Sequence, residues 1–314
     1  MLIALYIISF TAYTQKSLSQ KSFRVIPLGV RGGADESNLS SYLVSDMHSE
    51  NYISLDAGTL NSGLKIAFSK HLIKVRPAIF LKKNIKGYLI SHAHLDHIAG
   101  MILNSPDDSS KYIYAMPYVI DILKDKYFTW RGWANFANEG DKPTLNKYTY
   151  VPFKEGEEIF LNNTNLHAQG FSLSHANPYL SSAFLIRNNQ DYLLYLGDTG
   201  ADSIERSDKL QQLWHFITPI INSGHLKGIF IECSFPDAQA TKQLFGHLTP
   251  YWLMLELSKL NIMTMEKCLM KVNILITHIK PTGDNVSIIQ KQIDSHNTLG
   301  LKIKYPVQGA MIIL

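Results

Sequence analysis

The sequence predicts an α/β protein in which strands and helices form a layered sandwich. Two observations predict this fold class: short apolar runs alternate with helical segments, and His and Asp residues follow directly after several of the runs. The chain has 314 residues, of which 46% are hydrophobic and 18% are charged, so it can bury a large core. Periodicity alone does not give the order of the layers.

The individual elements follow from runs of apolar residues and from their boundaries. Ser105-Pro106 ends one predicted helix, because proline disfavours helix continuation, and Thr249-Pro250 begins another with Thr as N-cap. Helices are predicted at 98–103, near 117–126 and from 250 onward. Strands are predicted at 23–30, 41–44, 52–55, 87–91, 183–187, 192–196, 228–231, 272–276, around 303 and at 310–314.

The chain divides into a leader, 1–22, and a single domain, 23–314, with an irregular insertion around 107–147 over the site. Residues 1–12 are apolar but too few to span a bilayer, so we expect no stable membrane insertion. The polar stretch that follows makes the segment resemble a signal peptide, although it lacks Lys and Arg at its start. We therefore expect a periplasmic or secreted protein. The alternative is a cytoplasmic protein whose first segment is a strand.

Charge and cysteine content narrow the possible partners and metal ligands. The net charge is +4, and no Lys/Arg run occurs, so no nucleic-acid partner is expected. Cys233 and Cys268 cannot form a CxxC zinc site and are predicted to be buried free thiols. Any metal must therefore be held by His and Asp. The sequence does not indicate an oligomeric state.

The stretch 92–97, HAHLDH, places four metal-binding side chains directly after a predicted strand. Imidazole nitrogens and carboxylate oxygens are the ligands that bind zinc and similar ions. His92 and His94 can bind one ion, and the next two ligands can reach a neighbouring one. Further ligands of these types end later apolar runs, at His175, Asp198 and His278. Each of these could alone be a capping or surface residue, but together with Asp96 and His97 they suit two ions bridged by Asp198, with room for a hydroxide.

Residues 92–106, HAHLDHIAGMILNSP, resemble the signature of the class II cyclic nucleotide phosphodiesterases of the metallo-β-lactamase superfamily. This match extends well beyond the HxHxDH core that the wider superfamily shares. GGADESNLSSYLV at 32–44, LDAGT at 55–59, LGDTG at 196–200 and GHLTP at 246–250 are also similar. The resemblance runs from about residue 25 to 314. It implies a four-layer αββα sandwich and hydrolysis of 3′,5′-cyclic nucleotides, with cyclic AMP or cyclic GMP as the substrate, to nucleoside 5′-monophosphates.

The resemblance also implies how the ligands divide between two divalent ions, with Zn²⁺ expected and Mn or Fe as alternatives. His92, His94 and His175 would hold the first ion. The second ion would be held by Asp96, His97 and His278. Asp198 would bridge the two, and a bridging hydroxide would be the nucleophile.

Candidates for the remaining chemistry are less distinctive. We predict His247 as the proton donor to the leaving 3′ oxygen, oriented by Glu232, because the pair is similar to one in transfer-RNA-processing relatives; Asp96 is a third catalytic candidate. His247 could instead cap the helix after Thr249 or bond to Asp96. Asp56 is predicted to accept a hydrogen bond from a ligand imidazole, or else to form a turn. Candidates for substrate contact are Asn38, Ser40, Trp130 and Trp133.

Two other functions compete with this prediction. One is another hydrolase on the same scaffold, such as a transfer-RNA 3′-processing nuclease, a general phosphodiesterase, a β-lactamase or a thioesterase. The nuclease lacks support because the chain has no evident basic RNA-binding arm. The other is a non-catalytic metal-binding protein, which the complete set of ligand positions disfavours.

Overall fold

Two seven-stranded β-sheets pack face to face in the computed structural model, which describes residues 21–314. Nearly all of the predicted leader, residues 1–20, lies outside the described residues. Within residues 21–314, no helix is both long enough and apolar enough to cross a membrane. Both cysteines are free, as predicted, but only Cys233 is buried, whereas Cys268 is half-buried.

The first sheet joins the amino-terminal strands to the extreme carboxyl terminus. Its strands β1 to β3 and β14 pair antiparallel, whereas β3 to β6 run parallel. In spatial order the strands are β14 (Ile312–Ile313), β1 (Phe23–Gly29), β2 (Ser41–Asp46), β3 (Tyr52–Leu55), β4 (Ile85–Ile90), β5 (Lys111–Ala115) and β6 (Tyr148–Pro152).

The second sheet has the same mixed character. Its strands β7 to β10 pair antiparallel, and β10 to β13 run parallel. In spatial order the strands are β13 (Lys302–Lys304), β12 (Asn273–Thr277), β11 (Leu226–Glu232), β10 (Asp191–Leu196), β9 (Leu180–Asn188), β8 (His167–Ser174) and β7 (Glu158–Phe160).

Helices connect the parallel strands and cover the outer faces of the sheets. A π-helical turn extends α4 over Leu123–Tyr127, and 3₁₀ turns occur at Thr241–Gln243 and Leu269–Lys271. The α-helices are α1 (Asn61–Ser69), α2 (Pro77–Lys83), α3 (Leu95–Asn104), α4 (Pro117–Ile122), α5 (Asp202–Glu205), α6 (Lys209–Asn222), α7 (Pro250–Met263) and α8 (Asn285–His296).

Side chains of strand β10 point alternately into the two cores of the sandwich. Leu193 and Tyr195 face the core between the sheets, whereas Leu194 and Leu196 face the second core under α6 and α7. Between the sheets, the rings of Tyr42 in β2 and Phe230 in β11 lie 5.3 Å apart. On the opposite side, α1 packs directly on β1. The layers therefore run α-β-β-α, which confirms the predicted four-layer sandwich.

The structure adds helices that were not predicted, such as α1, α6 and α8, and it differs from the predicted elements at three further points. Lys111–Ala115, assigned to the irregular insertion, is the interior strand β5, whose register with β4 and β6 the sequence pattern did not reveal. Helix α3 begins at Leu95, three residues before the predicted start, so Asp96 lies in its first turn. Thr249 occupies the predicted N-cap position of α7, but its hydroxyl makes no capping hydrogen bond.

Candidate metal centre

The predicted metal ligands lie at one edge of the sandwich, where strands of both sheets end. His92 and His94 follow β4, His175 follows β8, Asp198 follows β10, and His278 follows β12. Strands β8, β10 and β12 point the same way, because β8 and β10 are both antiparallel to β9 and the strands from β10 to β12 are parallel. Their carboxyl ends therefore meet at one edge, where rigid strands fix the ligand backbones.

Three imidazoles converge at the first group of ligands. His92 Nε2 lies 3.1 Å from His94 Nδ1, and His175 Nε2 lies 3.3 Å from the same atom. The ring of Tyr179 stacks on the exposed His94 at 4.7 Å between centroids, and its hydroxyl accepts a hydrogen bond from Ala93 N. These three nitrogens form one candidate ligand group.

Hydrogen bonds determine which nitrogen of two of these rings carries the proton. His175 Nδ1 donates to the carbonyl of Gly246 at 2.8 Å. The Ser91 hydroxyl donates to Asp56 at 2.7 Å, so it must accept from His92 Nδ1 at 3.0 Å. Burial lowers the pKa of His175 to about 4 and that of His92 well below its usual value, so both rings are neutral at pH 7. The Nε2 atoms of His92 and His175 therefore present lone pairs to the centre.

A second group of ligands lies beside the first. His278 Nε2 is 3.1 Å from Asp96 Oδ2, and His97 joins these two as a candidate ligand group. The loop that contains Gly32 and Gly33 packs over this group. Gly33 N donates to Asp96 Oδ2 at 3.0 Å. A Cβ on Gly32 would lie 2.2 Å from the His278 ring, so the close approach of this loop requires glycine there.

Asp198 joins the two groups. Its Oδ2 lies 3.2 Å from His278 Nε2 and 3.4 Å from His97 Nε2 on one side. On the other side the same oxygen lies 3.7 Å from His92 Nε2 and 3.9 Å from His175 Nε2. Burial alone would raise the pKa of Asp198, but the neighbouring imidazoles hold it well below its usual range. The carboxylate is thus ionised and lies between both groups, a position that a bridging ligand would require.

Asp56 orients the centre from beneath. Its Oδ2 accepts from His97 Nδ1 at 2.7 Å, from the Tyr195 hydroxyl at 2.6 Å and from the Ser91 hydroxyl. Its Oδ1 accepts from Ser91 N at 2.7 Å. The structure therefore gives Asp56 the predicted contact with a ligand imidazole, and it adds Ser91 and Tyr195, which the sequence analysis did not select.

Ser234 plays the matching part for His278. Its hydroxyl donates to Glu232 Oε2 at 2.6 Å, which leaves the oxygen to accept from His278 Nδ1 at 2.9 Å. This contact directs His278 Nε2 towards Asp96 and Asp198. Nothing in the sequence around Ser234 indicated this role, since a single serine after a strand has no signature.

The donor atoms fit divalent cations. His97 Nε2 is buried and has no hydrogen-bond partner among residues 21–314, although it lies 3.4 Å from Asp198 Oδ2. A buried nitrogen without a partner costs free energy, and a divalent cation that accepted the lone pair of the neutral ring would remove that cost. The lone pairs of His92, His175 and His278 converge on the same small volume. A donor set of nitrogen and carboxylate oxygen suits zinc and related transition metals.

His247 lies at the border of this centre, paired with Glu232 as predicted. Its Nδ1 donates to Glu232 Oε1 at 2.7 Å, and its ring stacks on that of His278 with centroids 5.2 Å apart. Burial would lower the pKa of His247, but the charge of Glu232 raises it above its ordinary value. Lys280 Nζ lies 3.1 Å from His247 Nε2, a contact the sequence analysis missed.

The structure places the predicted substrate contacts within local structure. Asn38 Oδ1 accepts from Val30 N at 3.0 Å, and Ser40 is buried. Trp133 Nε1 donates to the Ser105 hydroxyl at 3.0 Å. Trp130 is 45% exposed, and its Nε1 donates to Pro143 O. Asn38, Trp130 and Trp133 thus each make a hydrogen bond to another group of the protein.

The fold and the ligand groups together define a divalent-metal-binding protein of the metallo-β-lactamase fold. Residues 20–309 match the class-II cAMP phosphodiesterases, so the chain belongs to that family, and the predicted resemblance is confirmed. A 3′,5′-cyclic-nucleotide phosphodiesterase of Aliivibrio fischeri is 38% identical over 317 residues, which cover 96% of each chain.

Solved structures support the fold. The crystal structure of unliganded yeast PDE1 has a TM-score of 0.82 at 22% identity and covers 94% of this chain and 100% of that one. The metallo-β-lactamase fold protein YhfI from Bacillus subtilis has a TM-score of 0.62 at 15% identity, with coverage of 94% and 100%. At such identities the likeness shows the architecture alone.

The contacts of Asp56 predict its effect on metal binding. The two oxygens of Asp56 accept four hydrogen bonds, and Asp56→Asn leaves only one accepting oxygen. We therefore expect zinc affinity to fall about 10–100-fold. Tyr195→Phe removes one of those bonds and should cause a smaller loss. Competition with a chelating dye measures both, with Tyr192→Phe at the start of β10 as control. Equal affinity for Asp56→Asn and the control would contradict the role of Asp56.

Proposed function

We propose that this protein hydrolyses 3′,5′-cyclic nucleotides to nucleoside 5′-monophosphates. Family membership and the printed activity of the Aliivibrio fischeri relative support the substrate class. The single observation that carries the chemistry is the position of Asp198 Oδ2 between two groups of metal ligands. Cyclic AMP is the substrate we propose to test first, with cyclic GMP as the second.

We propose two divalent cations as cofactors, with Zn²⁺ the best match to the nitrogen-rich ligands. His92, His94 and His175 would hold one cation, whereas the group at Asp96 would hold the other, with Asp198 shared. When bound, such a pair supplies an activated water and neutralises charge on the phosphoryl oxygens. The remaining ligands of the second cation would be His97 and His278.

His247 is proposed as the acid that protonates the leaving 3′ oxygen. Its Nδ1 is committed to Glu232, which leaves Nε2, 3.1 Å from Lys280 Nζ, as the nitrogen that would donate the proton. As the bond between phosphorus and the 3′ oxygen breaks, the Nε2 proton moves to that oxygen and the imidazole becomes neutral. Glu232 fixes the ring and favours its protonated form, and this effect outweighs the opposing charge of Lys280 in the pKa of His247. General acid catalysis of this kind is worth about 10²–10⁴ in rate.

Two substitutions separate the ligand role from the acid role. Asp198→Ala removes the shared oxygen, so we expect loss of activity together with loss of bound metal. His247→Ala should keep its metal and lower kcat by about 10²–10⁴-fold. Product analysis from cyclic AMP and metal content by mass spectrometry measure both.

The exposed His215 on α6 offers a matched control, and His215→Ala should behave as the wild-type protein. A His247→Ala protein with full kcat would contradict the acid role. A wild-type, zinc-loaded protein that forms no 5′-monophosphate from either cyclic nucleotide would contradict the proposed function itself.

The pair of His247 and Glu232 predicts a pH dependence. An acid must be protonated to donate, so kcat should fall as pH rises through the pKa of His247, which Glu232 raises above 6.5. Glu232→Gln removes that charge, so His247 loses its proton at lower pH and the alkaline limb of kcat should shift to lower pH. Profiles at saturating cyclic AMP measure the shift, with the exposed Glu157→Gln as control. An unmoved alkaline limb would contradict the coupling.

We propose export from the cytoplasm, on the basis of the apolar residues 1–12 and the polar stretch after them. An exported enzyme would act on nucleotides outside the cytoplasm. Fractionation of expressing cells and amino-terminal sequencing test this: a shortened chain in the periplasm or medium is expected. A full-length chain confined to the cytoplasm would contradict export.

A further inference from the structure

Lys280 lies beside His247, the proposed acid, and its contacts are separate from those that orient the metal ligands. It comes two residues after His278, is half-buried, and places its ammonium 3.1 Å from His247 Nε2. The same ammonium lies 4.7 Å from the centre of the Phe235 ring, a distance typical of a cation–π contact. A Cβ on Gly33 would lie 3.7 Å from Lys280 Cγ, so the glycine loop runs along its stem.

The charge of Lys280 has no carboxylate to neutralise it. Among residues 21–314, none of the ion pairs formed by Asp or Glu includes Lys280. An ammonium has three donors and no acceptor, and Phe235 offers it only a ring face. Glu232, the carboxylate bonded to His247, is also paired with Ser234. A positive charge therefore borders the site without a carboxylate partner in the part of the chain that the structure describes, 21–314.

The positions of Lys280 and His247 indicate which kind of anion could pair with the ammonium of Lys280. His247 Nδ1 is committed to Glu232, so His247 Nε2 and Lys280 Nζ border the same space next to the ligand group of His278. A cyclic phosphodiester brings one negative charge to this space. Lysine commonly binds phosphate as a point charge, and a positioned cation stabilises charge that develops during phosphoryl transfer.

We propose that Lys280 is a substrate-binding residue that contacts a phosphoryl oxygen of the nucleotide, next to the oxygen that His247 protonates. This proposal rests on the proposed function, because it takes the phosphodiester as ligand. Phe235 acts as a positioning residue, since its ring holds the ammonium in place. Lys280 is not a metal ligand, and its removal leaves all seven donors of the centre intact.

The test is Lys280→Met, which keeps the length of the stem but removes the charge, compared with Lys280→Arg and the wild-type protein. Zinc content should be unchanged in every variant. We expect kcat/KM for cyclic AMP to fall about 10–100-fold in Lys280→Met, with partial recovery in Lys280→Arg. Calorimetry should show a similar loss of affinity for the product, 5′-AMP. Lys271→Met, exposed at the other end of β12, is the matched control.

Phe235→Leu provides a second measurement that does not alter the charge. It should raise KM for cyclic AMP less than Lys280→Met does, and it should not change zinc content. Lys280→Met with kcat/KM and 5′-AMP affinity within twofold of the control would overturn the proposal. The calorimetric comparison holds even without turnover, so failure of the proposed function and failure of this contact are distinguishable.

Discussion

The centre depends on one physical constraint: lone pairs that repel each other are held together in a buried volume. Hydrogen bonds to the far nitrogens of His92, His175 and His278 turn their Nε2 atoms towards one another and towards Asp198. In water each lone pair would be solvated. Here the Nε2 atom of His97 is buried and has no hydrogen-bond partner within residues 21–314. Divalent cations between the two ligand groups would turn this arrangement from a cost into a stable site.

The sandwich brings the ligands together because strands of both sheets end at the same edge. Ligands at the ends of β4 and β12 come from different sheets, yet the packed sheets bring them within contact of one oxygen of Asp198. Asp56 and Ser234 then fix the imidazole orientations from behind, so the ligands need little rearrangement when metal binds. Precise ligand geometry thus rests on a rigid core and on a few buried hydrogen bonds.

The sequence predicted the site best where several metal-binding residues lie close together, and least well where a role depends on a single residue. HAHLDH placed four candidate ligands in six residues, and His175, Asp198 and His278 each followed an apolar run, so the ligand positions could be predicted. Strand β5 was missed because a mixed Tyr and Lys segment has no clear period. Ser234 and Lys280 were missed because their roles come from tertiary contacts between segments far apart in the chain.

We propose that two cations occupy this centre and share Asp198. Anomalous X-ray diffraction from crystals of the zinc-loaded protein at the zinc absorption edge tests it most directly. We expect two peaks about 3.5–4 Å apart, one beside His92, His94 and His175 and the other beside Asp96, His97 and His278. A single peak, or peaks that lie away from Asp198, would contradict it.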